Sequence, residues 1–245
     1  MALGIYNRYK QAGDIVLQVG IEVGLPKVAD PFTSNDAQYQ RLITLLNTAG
    51  NGLLELYPWT RLINNFEILT IQNQVKYVLP PDFDAMIDQT LWRKGGLYPG
   101  YPTSPQVWQY LSNILSGITL TVMFRERNGE LWIWPSVGAG IPISFEYRSR
   151  GWVGQGLGPN YSYRDNVLSF TDVVLHDPHL IERYLKLRFL EALGFDTQAA
   201  KDDFNIALEA RTAKDNAAPT LNAGGVGIGI RWIDDKNAGQ TNFGF

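Results

Sequence analysis

The chain has 245 residues, is 45% apolar and 18% charged, and carries a formal net charge of -3. That is the make-up of a globular chain with a real core, and it excludes a protein held mainly by nucleic-acid phosphates. There is no cysteine, so disulfides, thiolate catalysis and cysteine-bound metal centres are excluded as well. No apolar run approaches the roughly 20 residues of a membrane span. The start, "MALGIYNRYKQAGDIV", lacks the basic-then-apolar order of a signal peptide. The expectation is a soluble protein without membrane contact, kept in a cytoplasm or assembled into a particle there.

From Ala12 to Val23, Ile15, Val16, Val19 and Val23 recur at one-turn spacing and predict a helix stopped by Gly24-Leu25-Pro26. A second helix is predicted from Asp36 to Leu56, capped by Ser34 or Asn35, with an apolar stripe of Leu42, Leu45, Leu46, Ala49, Leu53 and Leu56. Gly50 and Gly52 weaken its middle and suit close approach by another backbone. The period then changes. "FEILTIQN" and "KYVLP" predict a hairpin turning at Asn73-Gln74. Ser104 and Pro105 open a short helix to Leu111. "TLTVMFRERNGELWIWP" is a hairpin around Asn128-Gly129, because both central positions of that turn need positive φ. "PISFEYRS" is a further strand, and "GWVGQGLGPNYSYRDN" a glycine-rich loop. Helical period returns after Phe170 with Leu180, Tyr184, Leu187 and Glu191 on one face, ending at Gly194. A last helix, capped by Thr197, carries Ala200, Phe204, Ala207, Leu208 and Arg211.

These elements predict an α+β fold. The N- and C-terminal helices form a helical bundle, a small antiparallel β unit is inserted between them, and an extended tail follows. The corresponding spans are 1–60 and 170–216 for the bundle, 61–169 for the β-rich unit and 217–245 for the tail.

Candidate chemistry is sparse. Asp82, Asp84 and Asp88 stand beside Trp92 and Trp108, which raises a carbohydrate-binding or glycoside-cleaving alternative built on the tryptophans with Asp84 or Asp88. Acids at loop starts also cap turns, and the Pro-Pro before Asp82 favours that reading. His176 and His179, the only histidines, flank Pro178 with Asp172 and Asp177 near. A metal pair is one reading, and a helix N-terminal loop the favoured one. Neither "GWVGQGLG" nor "GGVGIGI" has the strand–turn–helix setting of a dinucleotide loop. No catalytic residue, cofactor or metal is therefore assigned. Trp132 and Trp134 share one strand face opposite Ile133. Arg125 and Arg127, mixed with Glu126 and Glu130, suggest a solvated hairpin tip or an interface rim. The seven tryptophans exceed what a small β core needs and suit protein contacts, where Trp and Tyr dominate binding.

One segment resembles a known group. "YVLPPDFDAMIDQTLWR" followed by "SPQVWQYL" is similar to a recurrent segment of tailed-bacteriophage head-to-tail adaptor, or connector, proteins, at Tyr77, Leu79, Pro80, Asp82, Phe83, Asp84, Trp92, Ser104, Pro105, Gln106 and Trp108. "LIERYLKLRFLEALGFDTQAAKDDFNIALEARTAKD" resembles the paired helices of the same group. The similarity covers most of Asp14 to Asp215. It implies a non-enzymatic virion part in the neck, between capsid and tail, made in the host cytoplasm during assembly. It implies a homo-oligomeric ring of about twelve copies, a portal protein on one side, a tail or nozzle protein on the other, and a channel for transient passage of double-stranded DNA. The interface candidates are Trp92, Trp108, Arg125, Arg127, Trp152, Val226, Ile228, Ile230, Trp232, Phe243 and Phe245. The glycine-rich tail from about Pro219, with "VGIGIRWI", is expected to dock as an added strand or an extended arm on the portal.

Overall fold

The computed structural model describes residues 9–95, 100–114, 122–155 and 162–215. The first helix, α1 (Ala12–Glu22), follows a two-residue strand, β1 (Lys10–Gln11). It stops where Gly24 takes a left-handed φ of 83°. Helix α2 (Ala37–Leu56) is capped by Asp36, whose side chain accepts the Gln38 N–H at 2.8 Å. Ser34 and Asn35 do not cap it; the Ser34 hydroxyl instead accepts the Asp36 N–H. Helix α4 (Pro178–Leu193) has Asp177 as cap, Pro178 in its first turn and Gly194 at φ 74° as its stop. It leads into α5 (Gln198–Asp215). The short α3 (Pro105–Ile114) opens as expected, with the Ser104 hydroxyl accepting the Val107 N–H.

The helical bundle with a small inserted β unit is not what forms. Among the described residues, twelve strands make three four-stranded sheets beside five α-helices, so the chain is α+β but rich in sheet. In the first sheet the order is β1, β12 (Val173–Val174), β10 (Val153–Gln155), β11 (Ser162–Arg164). The second centres on β9 (Pro142–Ser149), with β2 (Ile63–Leu69) along one edge and β4 (Phe83–Met86) and β5 (Trp92–Arg93) on the other. The third runs β3 (Lys76–Val78), β8 (Glu130–Trp134), β7 (Met123–Arg127), β6 (Tyr101–Pro102), and its β6–β7 pair is parallel.

The helical stripes do pack on one another, with α4 against α1, α2 and α5, but they do not make a core by themselves. The first sheet completes it. Ile15, Val19, Leu42, Leu46, Leu53, Ile181 and Leu185 share one cluster with Trp152, Val153, Val173 and Val174. The stretch from Gly151 to Asn166, expected as a loop, thus supplies two strands and a core indole. Strands of two or three residues are too short to show a period of two. The second cluster lies between the other sheets and holds Leu91, Leu131, Ile133, Ile143 and Phe145.

Two local expectations also change. The strands β2 and β3 are not a hairpin: β2 pairs with β9 and β3 with β8. The Thr70 hydroxyl donates to the Gly138 carbonyl and accepts the Ile141 N–H. It ties the end of β2 to the loop before β9 and sends the chain into a different sheet. Gly50 and Gly52 do admit close neighbours, but these are side chains and not backbone. A Cβ on Gly50 would lie 2.2 Å from the Trp152 ring, and one on Gly52 would lie 3.1 Å from the Tyr184 hydroxyl. The β7–β8 hairpin turns at Asn128 and Gly129 with φ of 54° and 73°, as their residue types require.

Candidate functional site

The acids of the opening loop form a structural clamp. The segment from β3 to β4 crosses from the third sheet to the second. Asp82, buried in that crossing, accepts the Tyr147 hydroxyl at 3.0 Å and the Ser149 hydroxyl at 2.7 Å, while its own carbonyl accepts the Arg150 N–H. Burial, and then the adjoining Asp82 carboxylate, hold the Tyr147 phenol far above its ordinary range. Asp84 pairs with Arg148 at 2.7 Å. Asp88 is exposed. Partial desolvation, and then the charge of Asp88, push the Glu126 carboxyl up. Leu79, Pro80, Asp82 and Phe83 thus belong to the connection that joins two sheets.

Removal of the clamp has a predictable cost. Asp82→Ala strands two buried hydroxyls without their acceptor, and should destabilise the fold by about 2–6 kcal/mol in urea titration, from about 1–3 per orphaned group. Asp82→Asn keeps one acceptor oxygen and should lose less. Equal losses for the two variants would show that accepting these bonds is not what Asp82 does.

The histidines do not meet. His176 is buried, its Nε2 lies 3.0 Å from the Gly50 carbonyl, and its ring stacks on Trp152 at 5.5 Å. Burial, and then the Arg61 charge, outweigh the Gly50 hydrogen bond and lower its pKa to about 4. His179 is exposed on the first turn of α4 and gives its backbone N–H to Asp177. Asp172 is spent on Arg164 and on the Leu168 and Ser169 N–H groups. Among the described residues no group of three His, Asp or Glu side chains is placed to hold a metal ion.

The interface candidates separate into four groups. Trp152 is wholly buried and belongs to the helical core, with its Nε1 donating to Asn51 Oδ1 at 2.8 Å and to the Asp165 carbonyl at 2.9 Å. Trp92 is half-buried on β5, with its Nε1 donating to the Gln89 carbonyl. Trp108, Arg125 and Arg127 are brought together. Val226, Ile228, Ile230, Trp232, Phe243 and Phe245 lie outside the described residues.

The meeting point of the third group is Trp132, on the outer face of the third sheet. Along β8, Leu131 and Ile133 point into the core while Trp132 and Trp134 stay half-buried on the other side. Register places Arg125 and Lys76 on either side of Trp132, and Arg127 beside Glu130. The Lys76 Nζ lies 4.3 Å from the Trp132 ring centroid and the Arg127 guanidinium 5.1 Å. Such contacts are worth about 0.5–1 kcal/mol each when exposed. From α3, Trp108 meets Trp132 edge-on at 5.8 Å, but Trp108 is buried and supports Trp132 from within. The Trp132 Nε1 donates to Glu130. Val78 on β3 is 77% exposed on this same face. Tyr101, in β6 beside Met123, is exposed too, as are Val107 and Tyr110 on α3. The face is therefore aromatic with a cationic excess, Lys76, Arg125 and Arg127 against Glu130.

Lys76, Val78 and Trp132 were missed as a group. The alternation of Trp132 and Trp134 was visible, but which face is outward depends on the β3–β8–β7 register, and that is a tertiary fact. No family model matches this chain, and no curated protein is similar to it in sequence.

Proposed function

We propose that this chain is a structural subunit of a tailed-phage neck, a ring-forming head-to-tail adaptor that docks on the portal and joins the DNA-filled capsid to the tail around a channel for DNA. The neck assignment rests on the resemblance of the Tyr77–Trp108 segment and of the two last helices. The observation that carries an adhesive role is the outer face of the third sheet, where Arg125 and Arg127 gather around Trp132, backed by the buried Trp108, beside exposed Val78 and Tyr101. Aromatic and arginine side chains in one patch are the composition of binding hot spots. A subunit of this kind works by shape and contact. Asp82, Asp84 and His176, the groups that would have suited acid–base work, are each held in bonds that support the fold.

The test is direct imaging of the purified chain mixed with the portal protein of the same phage. A ring of about twelve subunits on the portal is the expected result. Monomers that ignore the portal, or turnover of a glycan lost on Asp84→Asn, would overturn the proposal. A charge-reversed variant, Arg125→Glu with Arg127→Glu, should remain folded, with a modest loss of stability of about 1 kcal/mol from the lost Arg127–Trp132 contact, yet assemble at least about tenfold more weakly, since each reversed contact at an interface costs of the order of 1 kcal/mol or more. Full assembly of that variant would move the contact surface elsewhere on the subunit.

A further inference from the structure

Strand β2 has a free edge. Its seven residues pair with β9 from Ile63↔Arg148 to Leu69↔Pro142, and among the described residues no other strand pairs with it. The edge is apolar on its inner side. Ile68 is buried, but Phe66 is only half-buried, although it packs edge-on against Phe145 at 5.8 Å. At the end of the strand Leu69 is 62% exposed, and just past it Ile71 is 57% exposed. An unprotected edge of this length invites a further strand.

The chain itself carries a matching segment. From Gly225 to Trp232 the sequence reads GVGIGIRW. Val226, Ile228, Ile230 and Trp232 fall at every second position, and Gly225, Gly227, Gly229 and Arg231 between them. As a strand this gives one apolar face and one nearly bare face. The apolar face suits the side of β2 that bears Phe66 and Ile68. The other face places Arg231 on the side that bears Glu67, of opposite charge.

The place where α5 ends supplies the geometry. Asp215, its last residue, accepts the Thr60 N–H at 2.9 Å and the Thr60 hydroxyl at 2.7 Å. Thr60 opens the short 3-10 turn that runs directly into Ile63, the first residue of β2. The route onward to the tail therefore starts beside the start of β2. Nine residues lie between Asp215 and Gly225, and the ten Cα steps reach up to about 33 Å, whereas β2 spans only about 23 Å.

We propose that Gly225–Trp232 adds to the free edge of β2 in the same chain, as a strand that covers Phe66. The added strand satisfies the outward backbone groups of β2 and buries the alternating Val and Ile side chains. The inference does not depend on the neck assignment.

Hydrogen exchange of the isolated full-length protein tests it. In the wild type the β2 amides that face away from β9 should exchange at least about tenfold more slowly than in the full-length Ile228→Lys, Ile230→Lys variant, because edge amides exchange by local opening. Unchanged exchange in α2 and α4 checks that the variant remains folded. Equal β2 exchange in the two proteins overturns the proposal, and is what a tail reserved for the portal would give. A second measurement uses the absence of cysteine. Glu67→Cys combined in turn with Gly225→Cys, Gly227→Cys or Gly229→Cys should give, with a short thiol cross-linker, an intrachain product for at least one pair. Cross-links found only between chains, or found for none of the pairs, overturn the assignment to the same chain.

Discussion

Trp152→Ala should destabilise the protein by about 3–5 kcal/mol, the range for deletion of a buried large aromatic side chain. A typical domain is stable by about 5–15 kcal/mol, so this one change consumes a large share. The indole fills the space against Gly50, stacks on His176 and gives its N–H to both Asn51 and Asp165. Three segments distant in sequence thus meet on one ring. Trp152→Phe keeps the stack but leaves both acceptors without their donor, at about 1–3 kcal/mol. Gly50→Ala attacks the same contact from the other side. Its Cβ would sit 2.2 Å from the ring, and forced overpacking of this kind costs about 1–3 kcal/mol. Urea titration of the three variants measures the set. A loss below about 1 kcal/mol for Trp152→Ala would show that the helices and the first sheet hold together without it.

The second large effect is a loss of stability in acid that runs through His176. Its pKa in the folded chain is lowered to about 4 from the ordinary 6.5, chiefly by burial. Between those values the unfolded chain binds a proton that the folded chain refuses. Stability therefore rises with pH across this window and falls as the pH drops through it, by about 1.4 kcal/mol per unit at most. The total lost between neutral pH and pH 4 is about 3 kcal/mol from this residue. Below about pH 4 the folded form takes up the proton as well, and the contribution levels off. His176→Gln can still donate to the Gly50 carbonyl and has no proton to gain. Its stability should be nearly flat where the wild type slopes. If both proteins lose stability in parallel from pH 6.5 to 4, the acid sensitivity resides in the carboxylates and not in this ring.

Residues with local causes were legible in the sequence. The αL glycines Gly24, Gly129 and Gly194, the Asn128-Gly129 turn and the Pro178 helix start follow from backbone sterics, and each appears where its residue type demands. The face of α2 that bears Leu42, Leu46, Ala49 and Leu53 is buried as its spacing requires. Leu56, placed on the same stripe, is 50% exposed at the helix end, where no neighbour covers it. Asp82 was legible as a local cap but not as the acceptor for Tyr147 and Ser149, because those hydroxyls arrive from β9 some 65 and 67 positions later.

By itself the sequence determined the composition class, the four long helices and the β7–β8 hairpin, since period, caps and turn chemistry act over a few residues. Tertiary structure alone decided that the helices share their core with a sheet, that β2 and β3 part into different sheets, and that Trp152 is core while Trp132 faces outward. Strands of two or three residues carry no period of their own, and whether an indole is buried depends on which strands pair across long separations. The energy that selects those pairings comes from burying both partners at once, and no single segment contains it.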